Sequence, residues 1–188
     1  MGTLGKDFKY LKVDKFLSKE EINLFTEYMI IRHRNNLSNF DLLQSNNRDT
    51  FFHGDPLFDS LLFTKTKTME KHTNLKLFPT YSCWRMYSHA AVLEKHVDRP
   101  SCEVSVTIQI NSDKPGEWPI YIENYNNAFN LKPGDAVIYL GTEVEHWREP
   151  LKSDWSSQVF LHYVNQDGKY KDHIWDKRNY LGEPKDGI

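Results

Sequence analysis

Between Cys102 and Ile110 the chain alternates strictly. Cys102, Val104, Val106, Ile108 and Ile110 fall on one face of an extended strand, and Glu103, Ser105, Thr107 and Gln109 on the other. Upstream the period changes. Over 18–33, Ile22, Phe25 and Met29 form one stripe at helical spacing, joined by Leu24 and Tyr28. Ser18-Lys19-Glu20-Glu21 opens this helix as a capping box, with Phe16 or Leu17 placed to staple its first turn. A second helix is predicted over 56–72. Asp55 stands at its N-cap, Pro56 at its first position, and Leu57, Phe58, Leu61 and Leu62 supply its apolar face. Residues 34–50, rich in Asn, Asp and Ser, read as a loop.

From residue 76 onward the pattern predicts strands. An aromatic-rich one runs over 77–87, interrupted by Pro79, and others run over 102–110, 118–123, 136–140 and 158–164. Turns at Asp113-Lys114-Pro115-Gly116 and Leu131-Lys132-Pro133-Gly134-Asp135 separate them. Short strands after two helices predict a mainly β fold with flanking helices (α+β), a sandwich or barrel such as a jelly roll. A single domain is expected over 1–188, with helical support over 14–75, a jelly-roll core over about 76–165 and a tail over 166–188 anchored by Trp175 and Tyr180.

Composition narrows the partners. Net charge is −2 with both signs mixed along the chain, so no nucleic-acid footprint is expected. No apolar run reaches the roughly 18 residues of a membrane span. Met1–Tyr10 has no apolar signal region, and a cytoplasmic location is the default. Cys83 and Cys102 lie in no zinc spacing and read as buried thiols. Aromatics reach 14%, enough to fill a core and also line a pocket.

Two His-x-Asp triplets occur. His53-Gly54-Asp55 runs into Pro56 and a helix, so Asp55 reads as a cap and His53 as structural. After His96-Val97-Asp98 comes a strand instead, and His146 follows another. In extended backbone residues i and i+2 share a face, so His96 and Asp98 aim at one point and a third ligand must come from elsewhere. Two imidazoles and a carboxylate on one side of an iron(II) leave positions for substrate, co-substrate and dioxygen. His162, flanked by apolar neighbours, reads as an interior group with a pocket-facing role as the alternative. His72, His89 and His173 read as exposed, and Trp147 and Trp155 as packing or pocket walls.

Arg85-Met86-Tyr87, Leu93 and His96-Val97-Asp98, followed by Leu131-Lys132-Pro133-Gly134-Asp135-Ala136 and His146, resemble the iron(II)- and 2-oxoglutarate-dependent dioxygenases, most of all the prolyl 4-hydroxylase-like branch. The resemblance covers about residues 80–165. It implies a double-stranded β-helix (cupin-like jelly roll) with helices outside the larger sheet. It implies iron(II) held by His96, Asp98 and His146, with 2-oxoglutarate and dioxygen as co-substrates and ascorbate as a stimulant. Asp98 favours hydroxylation, because related halogenases lack this carboxylate. Tyr87 matches a tyrosine that faces the co-substrate, with a core tyrosine as the alternative. One position departs from the family. The Arg or Lys expected nine to eleven residues after the distal histidine is replaced by Trp155, Ser156 and Ser157. Arg148 is the first substitute, Arg85 the second and Lys152 the third, while a surface ion pair with Glu145 or Glu149 is the alternative for Arg148. The implied activity is hydroxylation of an unactivated C–H bond in a peptide or small molecule: a prolyl residue, a free amino acid or a metabolite. A cupin-like metal- or small-molecule-binding protein without oxygenase activity, or a metal-free interaction module, are the competing readings. The loop 34–50 and the tail are candidate lids.

Overall fold

Both helices begin where their caps predict. The computed structural model describes residues 8–35 and 49–183. Its elements are β1 (Tyr10–Val13), α1 (Lys19–Asn35), β2 (Thr50–His53), α2 (Pro56–Thr73), β3 (Leu77–Ser88), β4 (Leu93–His96), β5 (Val104–Ser112), β6 (Ile120–Ile122), β7 (Asn124–Phe129), β8 (Ala136–Tyr139), β9 (His146–Arg148) and β10 (Trp155–Asn165). Short 3-10 turns lie at Pro100–Cys102 and within Lys171–Lys177, the latter broken by non-helical Ile174, Trp175 and Asp176. At α1 the Ser18 N–H donates to Glu21 Oε2 (2.8 Å) and the Glu21 N–H to Ser18 Oγ (3.2 Å). At α2 the Leu57 N–H donates to Asp55 Oδ1 (3.0 Å), and left-handed Asn74 closes the C-terminus. Most of the loop predicted over 34–50 lies outside the described residues.

The strands form a jelly roll of two antiparallel sheets. The six-stranded sheet runs β1-β8-β5-β10-β3-β2 and the four-stranded sheet β4-β9-β6-β7. Both helices pack on the outer face of the larger sheet. There Phe25, Met29, Phe58, Leu62 and Met69 meet Trp84, Val104, Val106, Ile108 and Leu161 in one buried cluster. The opposite, polar face of β5 is equally buried: Ser105, Thr107 and Gln109 point between the sheets. Strict alternation on β5 therefore separates a helix-packed face from a site-facing one, with neither open to water. The predicted strand 102–110 starts later, at Val104, because Cys102 belongs to a 3-10 turn. The register of β10 on β3 shifts between His162 and Tyr163, opposite Tyr81 and Pro79, which lets the proline sit within a long strand.

The tail is anchored differently from the expectation. Tyr180 is 59% exposed and Trp175 only half-buried. Ionic contacts hold the segment instead. Arg178 Nη1 and the Gly182 N–H both donate to Asp59 Oδ2 (3.0 and 2.7 Å), while Asp59 Oδ1 accepts from the Ser82 N–H and Oγ (2.9 and 2.7 Å). The carboxylate, on α2, thus ties the helix, β3 and the tail together. Two aromatics in a polar stretch look like anchors in sequence, but a buried ion pair with every oxygen satisfied is the stronger tie here. Asp59→Ala leaves the Arg178 guanidinium buried without its partner. It is expected to lower unfolding free energy by about 3–5 kcal/mol in a urea titration.

Candidate metal centre

His96 and His146 face each other across the β4–β9 pair, in direct register. Asp98 lies two residues past His96, where its backbone N–H donates to Gly141 O (2.7 Å). The result is a convergent set. His96 Nε2 and His146 Nε2 each lie 3.5 Å from Asp98 Oδ1, and ligand atoms of the three side chains all fall within 4.8 Å of one another. Each imidazole has its other nitrogen on a backbone carbonyl: His96 Nδ1 on Glu94 O (2.6 Å) and His146 Nδ1 on Val144 O (3.1 Å). A carbonyl accepts only, so Nδ1 carries a proton, and Nε2 is left either to donate a proton to the carboxylate in the metal-free chain or to give its lone pair to a metal. Three lone-pair donors around one point, two with their tautomers fixed from behind, fit a bound divalent transition metal. Electrostatics agree. Burial acts to raise the Asp98 pKa, but hydrogen bonds from His146 and His96 overcome it and hold the carboxyl well below the usual range. Burial likewise opposes charge on His96, yet Asp98 and the Glu94 carbonyl raise its pKa above the ordinary value.

Gly141 makes this packing possible. A Cβ at 141 would collide with Asp98 Oδ2 and the Cys102 carbonyl, and would lie 2.8 Å from Ser105 Oγ. In the sequence Gly141 is marked only by its place directly after the strand predicted over 136–140.

The triad borders a cavity of about 230 Å³. Its walls include Tyr81, Cys83, Arg85 and Tyr87 from β3 and Phe160 and His162 from β10. His162 thus takes the pocket-facing alternative. His53 also lines the cavity, stacked on Tyr81 (4.3 Å between centroids), so the first triplet splits: Asp55 caps α2 as predicted, but His53 joins the site. Arg99 lines it too, bonded through both terminal nitrogens to buried Asp176 of the tail (2.7 and 2.8 Å). His173, expected to be exposed, is half-buried against Ser101 Oγ (2.9 Å). Pattern-based reading missed His53, Arg99 and Asp176 because the last two reach the site from a coil and a tail. Trp147 is no pocket wall. It stacks on Tyr121 (5.4 Å) on the outside of the smaller sheet, and Trp155 also lies off the cavity.

Two groups beside the cavity keep unmatched hydrogen-bond donors. Tyr87 is buried, its phenol pushed up to about 12 by burial, and its hydroxyl has no partner among the described residues. Arg148 is fully buried with Nη1 on the Trp118 carbonyl, whereas Nε and Nη2 have no partner among the described residues. Burial lowers its pKa to about 10, so it stays charged at neutral pH. The surface ion pair considered for Arg148 does not form: Glu145 pairs with Lys95 and Glu149 with Tyr125. Arg148 sits behind the wall, near Tyr87 and Tyr139, while Arg85 lies on the wall itself. Lys152 is exposed and away from the cavity. Ser156 and Ser157 are buried and bonded to Gln109 and Asn111, so hydroxyls stand where the resemblance led to the expectation of a cation.

Burial lowers the His162 pKa to about 4, against an ordinary imidazole value near 6.5. Above 6.5 both folded and unfolded forms are neutral here. Between 6.5 and 4 only the unfolded chain takes up the proton, so this residue's contribution to stability is lost as pH falls. In chelator, wild type is expected to lose up to about 3 kcal/mol more than His162→Asn across that window, read from urea titrations at each pH.

No family model and no curated protein matches the sequence. Solved structures do match the fold. A Pseudomonas putida prolyl-4-hydroxylase aligns at TM-score 0.65 and 14% identity, over 83% of this chain and 92% of that one. A collagen prolyl hydroxylase of Paramecium bursaria Chlorella virus-1, in complex with 2-oxoglutarate, aligns at 0.63 and 16%, over 86% and 98%. A Trichoplax adhaerens prolyl hydroxylase, in complex with a hypoxia inducible factor peptide, aligns at 0.67 and 12%, over 90% and 88%. The chain therefore has the double-stranded β-helix fold of these hydroxylases, with its helices on the larger sheet.

Proposed function

We propose that this protein is a non-haem iron(II)- and 2-oxoglutarate-dependent dioxygenase that hydroxylates an unactivated C–H bond. The observation that carries the reading is the convergence of His96 Nε2, His146 Nε2 and Asp98 Oδ1 at the edge of an internal cavity. When bound, iron with 2-oxoglutarate and dioxygen supplies the oxidation, in which C–H becomes C–OH while the co-substrate is split to succinate and carbon dioxide. The chain's own residues hold and orient. His96, Asp98 and His146 are the metal ligands, gathered on one side so that the other side stays open to the cavity. Tyr87 keeps its proton at neutral pH and offers it to a co-substrate carboxylate. Arg148 offers two further donors to the same anion, and a buried guanidinium is well matched to a carboxylate in a dry site. Arg85, on the wall beside Tyr87, is the second candidate for that role. Phe51, Leu93 and Phe160 supply apolar contacts in a lining otherwise rich in polar side chains.

The viral hydroxylase's complex with 2-oxoglutarate supports the co-substrate, and the Trichoplax enzyme's peptide complex supports a peptide among the substrate choices. A prolyl residue, a free amino acid and a small metabolite all suit a cavity of this size. On this reading residues 1–188 act as one dioxygenase domain in a reducing, cytoplasmic setting, which suits the two buried, unbridged thiols of Cys83 and Cys102. Among the described residues no helix is long and apolar enough to cross a membrane.

Purified protein with iron(II), ascorbate and 2-oxoglutarate is expected to release succinate, faster with the right substrate. His96→Ala and Asp98→Ala are each expected to reduce that release to background. Arg148→Met is expected to raise the KM for 2-oxoglutarate about 10–100-fold, the loss of a charge-assisted hydrogen bond. Succinate release unchanged in the triad variants rejects the reading. Metal uptake without a 2-oxoglutarate-dependent visible band favours the cupin-like alternative.

A further inference from the structure

Asp98 has two oxygens with different surroundings. Oδ1 faces the two imidazoles, while Oδ2 accepts from Ser105 Oγ (2.9 Å). Ser105 Oγ also lies 3.1 Å from Cys102 O and 2.9 Å from His162 Nδ1. One hydroxyl carries one proton. Two of its three neighbours, the carboxylate and the carbonyl, only accept, and the charged oxygen is the stronger acceptor. His162 Nδ1 must then donate, because a bare nitrogen there would leave three acceptors around one proton. His162 is neutral when buried, so Nε2 is left as an acceptor, with Cys83 Sγ at 3.9 Å. The bonds run one way: His162 Nδ1–H to Ser105 Oγ, and Ser105 O–H to Asp98 Oδ2.

Backbone register builds this chain. Ser105 on β5 and His162 on β10 are direct partners, both on the inner face of the larger sheet. Asp98 lies in coil beyond β4 of the smaller sheet and has no strand of its own to fix its side chain. We propose that Ser105 and His162 are positioning residues that engage Asp98 Oδ2 and thereby present Oδ1 alone to the metal. The inference rests on the metal-site reading above and adds to it a pair of residues outside the ligand set. A carboxylate held this way binds through one oxygen and leaves a coordination position that a two-oxygen grip would close. Ser105 is the direct contact, and His162 acts through it by fixing which way the hydroxyl points.

The test uses Co(II) on the full chain, without oxygen, by calorimetry and by the visible d–d spectrum. Wild type is expected to bind one Co(II). Ser105→Ala and His162→Gln are each expected to weaken binding about 10–100-fold and to shift the d–d bands, as loss of an outer-sphere partner does. His162→Asn is expected to stay within about threefold of wild type, because the asparagine amide can donate from near the Nδ1 position while glutamine reaches toward Nε2. The two amides have similar polarity, so this comparison separates positioning from general destabilisation. The double variant Ser105→Ala/His162→Gln is expected to be no weaker than Ser105→Ala alone. Equal binding by wild type, Ser105→Ala and His162→Gln overturns the relay and leaves the metal site standing. Equal weakening by His162→Asn and His162→Gln also overturns it, as does a second equivalent of Co(II) lost with His162. A wild-type chain that takes up no Co(II) overturns both readings.

Discussion

The antiparallel register that sets residue 96 opposite residue 146 is the constraint on which the site depends. Side chains in a strand alternate faces, so a slip of one residue on β9 turns His146 outward and brings Glu145 or Trp147 inward. Several contacts hold that register. Tyr121 on β6 pairs with Trp147, and their rings stack outside the sheet, which commits residue 147 outward and its neighbours inward. The Asp98 N–H to Gly141 O bond then fixes the carboxylate's backbone two residues past the strand end. Three ligands from two remote segments therefore meet through main-chain geometry first, with side-chain bonds selecting tautomer and orientation.

The larger sheet separates two chemistries by its pleat. Its outer face is apolar and carries both helices. Its inner face is buried and mixed: Tyr81, Cys83 and Phe160 pack there, and Ser105, Thr107, Gln109 and His162 are hydrogen-bonded to one another or to neighbours. Polar groups out of water cost free energy unless paired, so this face is stable only as a connected network. The network also makes the site precise: side chains that already satisfy one another have few alternative rotamers. The tail takes part at the cavity's edge, where Asp176 holds Arg99 and lies 3.5 Å from His53 Nε2.

Much of this was legible before any coordinates. Caps at Ser18 and Asp55 located both helices to within two residues. Alternation over Cys102–Ile110 located β5, and the spacing of His96 and Asp98 with a distant His146 marked the residues that the fold brings together. β6 falls inside the strand predicted over 118–123, but β9, with three residues, is too short for a period to show. The burial of Ser105, Thr107 and Gln109 was also hidden, because alternation reports two faces without saying what covers each. His53 stays outside the ligand set, as read, but nothing local shows that it stacks on Tyr81 and borders the cavity. Asp176 meets Arg99, and Arg178 meets Asp59, only through long-range packing that no local pattern encodes.

Arg148 is the costliest feature of the interior and, under the proposed function, the most informative. A guanidinium out of water without a counter-ion is unfavourable, and burial has already drawn its pKa down to about 10. Among the described residues it receives only the Trp118 carbonyl and the Trp118 ring face, 4.7 Å away, neither of which carries a formal charge. The Tyr87 hydroxyl nearby has an unmatched proton as well. Two unmatched donors that lie close together in a dry region are poorly explained by packing alone, since a methionine and a phenylalanine would fill the space at lower cost. Under the proposed function the carboxylate of a bound co-substrate would satisfy both groups at once.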